Sequence, residues 1–158
     1  MAYHVDLQNA CDDPIPVSDE KLISWAELPL SDHLQTAELT VRLVDDKEMT
    51  QLNHAYRQQN KATNVLAFPS AIPAGVELEY PLLGDVIICP SVLRAESIEQ
   101  DKPLAEHWAH IIIHGVLHLL GYDHIQESDA EVMQATEIKL LAKLGFSNPY
   151  HIEGSHIE

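Results

Sequence analysis

His114-Gly115-Val116-Leu117-His118-Leu119-Leu120-Gly121-Tyr122-Asp123-His124 closes a helix that the sequence predicts over Leu104–Leu120. At about 100° per residue, His114 and His118 share one helix face, one turn and about 6 Å apart along the axis. Two imidazoles so placed can converge on one ion about 2 Å from each ring nitrogen. Gly121 follows the helix and can take the left-handed C-cap conformation that other residues resist. A chain reversal there lets His124 swing back as a third ligand. Three histidines on a tetrahedral ion leave one position for water, the pattern of a catalytic site rather than a closed structural one. A solitary helix histidine is usually a satisfied surface or half-buried residue, and an i, i+4 pair arises by chance. The glycine and the third histidine are what tip the balance to metal.

The chain has ten histidines, and five of them fall between His107 and His124. His107 lies about 10 Å along the axis from His114, too far to share an ion with both His114 and His118. His110 is one turn before His114 and is geometrically possible, but Gly121 turns the chain at the His118 end. His107 and His110 are therefore expected to be solvated or to stand behind the ligands. Asp123 either orients a ligand by accepting a ring N–H or serves as a turn residue.

Outward from this stretch, the remaining elements follow from periodicity and punctuation. Tyr3–Leu7 alternates weakly, as an edge strand does. Ser18 reads as an N-cap, with Asp19 and Glu20 in the first turn of a helix that ends near Pro29. Leu22, Ile23 and Ala26 line one side of it. Leu39, Val41 and Leu43 alternate with Thr40, Arg42 and Val44 in a strand. Lys47–Tyr56 reads as a helix with Met49, Leu52 and Ala55 or Tyr56 inward. Asn64–Phe68 and Gly84–Cys89 are short apolar runs that suit buried strands. Between them, Pro69 to Leu83 carries three prolines and Gly75 and is expected to be a long surface loop. Ser91–Gln100 reads as a helix, and Pro103 suits the first turn of the next one. Ser128-Asp129-Ala130-Glu131 looks like a capping box opening a last helix, with Ala130, Met133, Ile138, Leu141 and Leu144 inward and Gly145 at its end. This order predicts an α+β fold: one domain over residues 1–150, a mixed sheet of about four strands, and five or six helices packed on it. His151–Glu158 reads as a flexible tail.

Composition sets limits on function. The chain has 158 residues, 46% of them hydrophobic and 22% charged, which suits one packed domain and excludes a disordered chain. No apolar run reaches the about 18 residues of a membrane span, and no secretion signal opens the sequence. Cys11 and Cys89 stand alone, so neither a disulfide framework nor a cysteine-rich zinc site is expected, and a reducing cytoplasm is the plain inference. The formal charge is −16, and the nine basic residues never form a run. Diffuse nucleic-acid binding needs a basic stripe, so any RNA must be met by a local basic spot or through a partner.

The spacing H-x-x-x-H-x-x-G-x-x-H is similar to the metzincin protease motif, but Gly115 stands where that motif carries its general base. The full string closely resembles the signature of the YbeY family of bacterial endoribonucleases, the rRNA maturation factors. The resemblance continues in Leu52-Asn53-His54-Ala55-Tyr56-Arg57, in Lys61-Ala62-Thr63-Asn64-Val65-Leu66-Ala67-Phe68-Pro69 and in Leu83-Gly84-Asp85-Val86-Ile87-Ile88-Cys89. Ala62 departs from the family's usual proline, a turn-level change. The resemblance implies a zinc-dependent endoribonuclease with His114, His118 and His124 as ligands and Arg57 as a catalytic residue. It also implies cleavage of single-stranded RNA, maturation of the 3′ end of small-subunit rRNA and ribosome quality control. Arg57 suits such a role, because a guanidinium can hold a phosphate and stabilise charge in the transition state. No general base is visible, and the ribose 2′-hydroxyl is an alternative nucleophile. Three imidazoles also accept nickel or copper.

Two other readings remain at this level. One is a ribosome assembly factor with a mainly structural metal, docking through its negative charge on basic proteins of the small subunit. The other is a peptidase, which Gly115 disfavours.

Overall fold

The computed structural model describes residues 2–70, 81–122 and 126–150. A four-stranded sheet is formed by β1 (Ala2–Ala10), β2 (Thr36–Val44), β3 (Val65–Pro69) and β4 (Leu82–Ile88), in the order β1-β2-β4-β3. β1, β2 and β4 run parallel, and β3 is antiparallel to β4. Five helices accompany it: α1 (Asp19–Glu27), α2 (Asp46–Arg57), α3 (Pro90–Glu99), α4 (Leu104–Leu119) and α5 (Glu127–Lys143). The fold is thus mixed α+β, as expected, with β1 and β3 at the edges.

Strand alternation divides the helices between the two faces. Leu39, Val41, Leu43, Val86 and Ile88 point to one face and form the main core with α1, α4 and α5. Leu66 and Ile87 point to the other face, where they pack with Met49 of α2 and with Cys89. α4 is the central helix of the larger layer: Trp108, Ile112, Ile113, Val116 and Leu117 are all essentially inaccessible. Its close approach to the sheet depends on Gly115. A Cβ there would lie 2.7 Å from Val86 Cγ1 and 3.3 Å from Val65 Cγ2. The glycine that removes the protease base is therefore also the place where α4 presses on β3 and β4.

Caps explain several boundaries. Ser18 accepts from the Lys21 amide at the start of α1, and Asp45 accepts from the Glu48 amide at the start of α2. Gln58 ends α2 in the left-handed region at φ 55°. Gly121 takes φ 103°, the positive value expected just past α4.

Some expectations need correction. α5 starts at Glu127 behind an extended Gln126, so Ser128 lies inside the helix and the capping box does not form. Glu127 and Asp129 instead place negative charge in the first turn, where the helix dipole favours it. Pro103 stands at the N-cap of α4 rather than within its first turn. Trp25 of α1, absent from the expected inward set, is 3% exposed and packs edge-on to Phe146. On α2 the buried positions are Met49 and Asn53, whereas Ala55 and Tyr56 are exposed. Tyr56 packs edge-on against Phe68, at 4.5 Å between ring centres, and the Arg57 guanidinium is its other contact. The expected 69–83 loop is shorter than foreseen, because Pro69 and Leu82–Leu83 belong to strands. Its residues 71–80, like the 151–158 tail, lie outside the described residues.

Candidate metal centre and its cavity

The imidazoles of His114 and His118 project from one face of α4, and their Nε2 atoms are 3.1 Å apart. His114 Nδ1 lies 2.7 Å from Glu137 Oε2. A carboxylate only accepts, so Nδ1 carries the proton and His114 turns the lone pair of Nε2 toward His118. Two nitrogens of one zinc tetrahedron, each about 2.0–2.1 Å from the ion, are about 3.3 Å apart. At 3.1 Å the two atoms are within hydrogen-bond distance, His118 donating to His114, and close to that spacing, so the pair can hold a shared cation once His118 Nε2 gives up its proton. His124 and Asp123 lie outside the described residues.

Glu137 is the residue that the sequence reading missed. Its side chain is 0% exposed. Its Oε1 faces His110 Nε2 at 3.3 Å and accepts the hydroxyl of Tyr150. Burial by itself would raise its pKa, but hydrogen bonds from His110 and His114 outweigh that and hold it down. Burial lowers the pKa of His110, and burial together with the charge of Glu137 raises that of Tyr150. One signal was present in the sequence: Met133, Glu137, Leu140 and Leu141 sit at i, i+4, i+7 and i+8. A carboxylate in an apolar stripe needs a buried partner.

His110, His114 and Glu137 also form a second group with the donor types and proximity for a metal. The two arrangements share His114. The 2.7 Å between His114 Nδ1 and Glu137 is a hydrogen-bond distance, shorter than the edge of a zinc tetrahedron. Glu137 and His110 are also more deeply buried, whereas His114 and His118 border open space. With Glu137 accepting the Nδ1 proton of His114, Nε2 of that ring faces His118 and the cavity. Neither His107 nor His110 is solvated. His107 is 4% exposed and pairs with Glu96 at 2.9 Å on α3, away from the ligand pair.

His114 and His118 line a cavity of about 590 Å³ together with Tyr56, Arg57, Gly115 and Tyr122. Val65, Ala67 and Pro69, alternate residues of β3, also line it. α2 and α4 cover opposite faces of the sheet, yet both reach this cavity because β3 is an edge strand. Arg57 closes α2; Gln58 then turns the chain in the left-handed region, and the buried Asn53 amide donates to the Lys61 carbonyl at 2.9 Å, tying the helix to the segment after it. The structure thus brings Arg57 to the same cavity as His114 and His118, 57 and 61 positions further along the chain.

Comparison with known proteins gives the family. A family model described as Endoribonuclease YbeY matches residues 8–145. The endoribonuclease YbeY of Legionella pneumophila (strain Corby) is 59% identical over 158 residues, covering 100% of both chains. That of Psychromonas ingrahamii is 54% identical over 155 residues, covering 95% of this chain and 97% of its own. The solution structure of TM1509 from Thermotoga maritima shares the fold at a TM-score of 0.57 and 22% identity, over 95% of this chain and 99% of that one. With the family model spanning three of the four strands, the central helix and Glu137 alike, the chain belongs to the endoribonuclease YbeY family.

Proposed function

We propose that this protein is a zinc-dependent endoribonuclease that cleaves single-stranded RNA, acting in the cytoplasm on the 3′ end of small-subunit rRNA and in ribosome quality control. The observation that carries the reading is the shared cavity: a convergent imidazole pair and a guanidinium open to the same space. His114, His118 and, by the spacing of the sequence, His124 would hold one ion. A zinc ion held there supplies Lewis-acid chemistry, activating water near neutral pH and polarising a phosphoryl oxygen. Glu137 holds the Nδ1 proton of His114 and so keeps Nε2 turned to the site. Arg57 binds the scissile phosphate and offsets the charge that develops as the P–O bond breaks.

Gly115 disfavours the peptidase reading, because it offers no carboxylate where the metzincin motif carries its general base. The −16 charge supports a second role beside catalysis, docking on basic proteins of the small subunit. No helix of the described residues is long and apolar enough to cross a membrane.

The test is cleavage of a single-stranded RNA by zinc-loaded wild type, His118→Ala and Arg57→Ala purified in parallel. His118→Ala should lose both metal and cleavage, and Arg57→Ala should keep its metal while cleaving more slowly. Equal cleavage by all three preparations would assign the activity to a contaminant and favour an assembly factor with a structural metal.

A further inference from the structure

Tyr56 is 47% exposed although its position on α2, seven residues after the buried Met49, would suit the core. It lines the cavity beside Arg57, whose guanidinium carbon is 5.9 Å from the Tyr56 ring centre. Phe68 packs against it edge-on, with the ring planes at 64°. The ring is therefore packed against one aromatic neighbour while the residue stays nearly half exposed and borders the cavity.

The electrostatics leave a gap that this ring can fill. Beside the ion that His114 and His118 would hold, Arg57 is the one Lys or Arg among the described residues lining the cavity, on a chain of net charge −16. A single phosphate contact releases few counterions and holds a single strand weakly. Aromatic stacking does not depend on phosphate charge, and every base offers a π-face to it.

We propose that Tyr56 is a nucleobase subsite, stacking on an unpaired base of the strand whose phosphate Arg57 holds. The inference rests on the nuclease reading above and deepens it. It supplies a physical origin for a single-strand preference, since a base inside a duplex is already stacked on both sides and is not available to the ring. It also predicts affinity that depends on bases more than on salt.

The experiment compares two fluorescent probes by anisotropy, a 2′-O-methyl hexa-adenylate and the same backbone with abasic sugars. Wild type should bind the base-bearing probe about tenfold more tightly. Its affinity should fall with salt at a log–log slope of about −0.7, one phosphate contact on a single strand. Tyr56→Phe should keep the preference. Tyr56→Leu, which still covers Phe68 but has no π-face, should bind both probes alike, and Tyr56→Ala should do the same. A Tyr56→Leu variant that retains the tenfold preference overturns the subsite, as does wild type that binds neither probe. Cleavage by His118→Ala reads the nuclease assignment separately. If that variant cleaves like wild type while the base preference still follows Tyr56, the nuclease reading falls and the RNA-binding subsite stands.

Discussion

Replacing Glu137 tests how the metal centre is supported. Glu137→Leu keeps the volume and removes the acceptor that faces His114 Nδ1 at 2.7 Å, His110 Nε2 at 3.3 Å and the Tyr150 hydroxyl. Each buried donor left without an acceptor costs about 1–3 kcal/mol. The three share one carboxylate, so their costs overlap, and the total should be about 3–5 kcal/mol, as for breaking a buried charged pair. In a chain of 158 residues each kcal/mol moves Tm by about 2–4 °C, so the metal-free variant should melt about 6–20 °C below wild type. Circular dichroism in the presence of a chelator reads this directly. Glu137→Gln is nearly isosteric and should fold, but it offers His114 a weaker acceptor. Its zinc affinity, measured by competition with a chromophoric chelator, should fall about 10–100-fold. A Glu137→Leu protein that melts with wild type would refute the buried network. A Glu137→Gln protein with undiminished zinc affinity would remove the carboxylate from the support of His114. Complete loss of zinc binding in Glu137→Gln, with His118→Ala still binding, would instead make Glu137 itself a ligand.

Three further outcomes follow from the packing. Gly115→Ala places a Cβ 2.7 Å from Val86 Cγ1, and thermal melts should show about 1–3 kcal/mol of destabilisation; an unchanged Tm would mean that α4 can lift from the sheet freely. Cys89 is 0% exposed, and burial raises its pKa, so native protein treated with a thiol-reactive disulfide should release one equivalent quickly, from Cys11, and the second only in denaturant. Rapid release of two equivalents contradicts the burial of Cys89. Zinc at about 100 times its Kd should stabilise wild type by about 2.7 kcal/mol. That increment should vanish in His118→Ala, and its persistence would place the ion elsewhere.

Much of the fold was legible because it rests on local chemistry. Leu39, Val41 and Leu43 announce a half-buried strand by alternation, and Ser18 marks the start of α1 because its side chain caps an amide three residues on. The His114 and His118 pair follows from helix geometry, since one turn of α-helix brings i and i+4 together wherever the helix lies. The errors came where tertiary packing decided. Tyr56 has the spacing of a core residue, but the tertiary structure leaves it exposed at the rim of the cavity. Ser128 has the sequence of a cap, but the first turn forms one residue before it.

The sequence by itself determined the elements, their order and the paired imidazoles, because each depends on residues within a turn or two of one another. Only the tertiary structure decided that Arg57, Tyr56 and the histidines share one cavity, because β3 lies at the sheet edge and lets helices from opposite faces meet around it. It alone also decided that Glu137 stands behind His114. A buried carboxylate is tolerable only where distant donors surround it, and those donors come from α4 and Tyr150, 13 to 27 positions away in the chain.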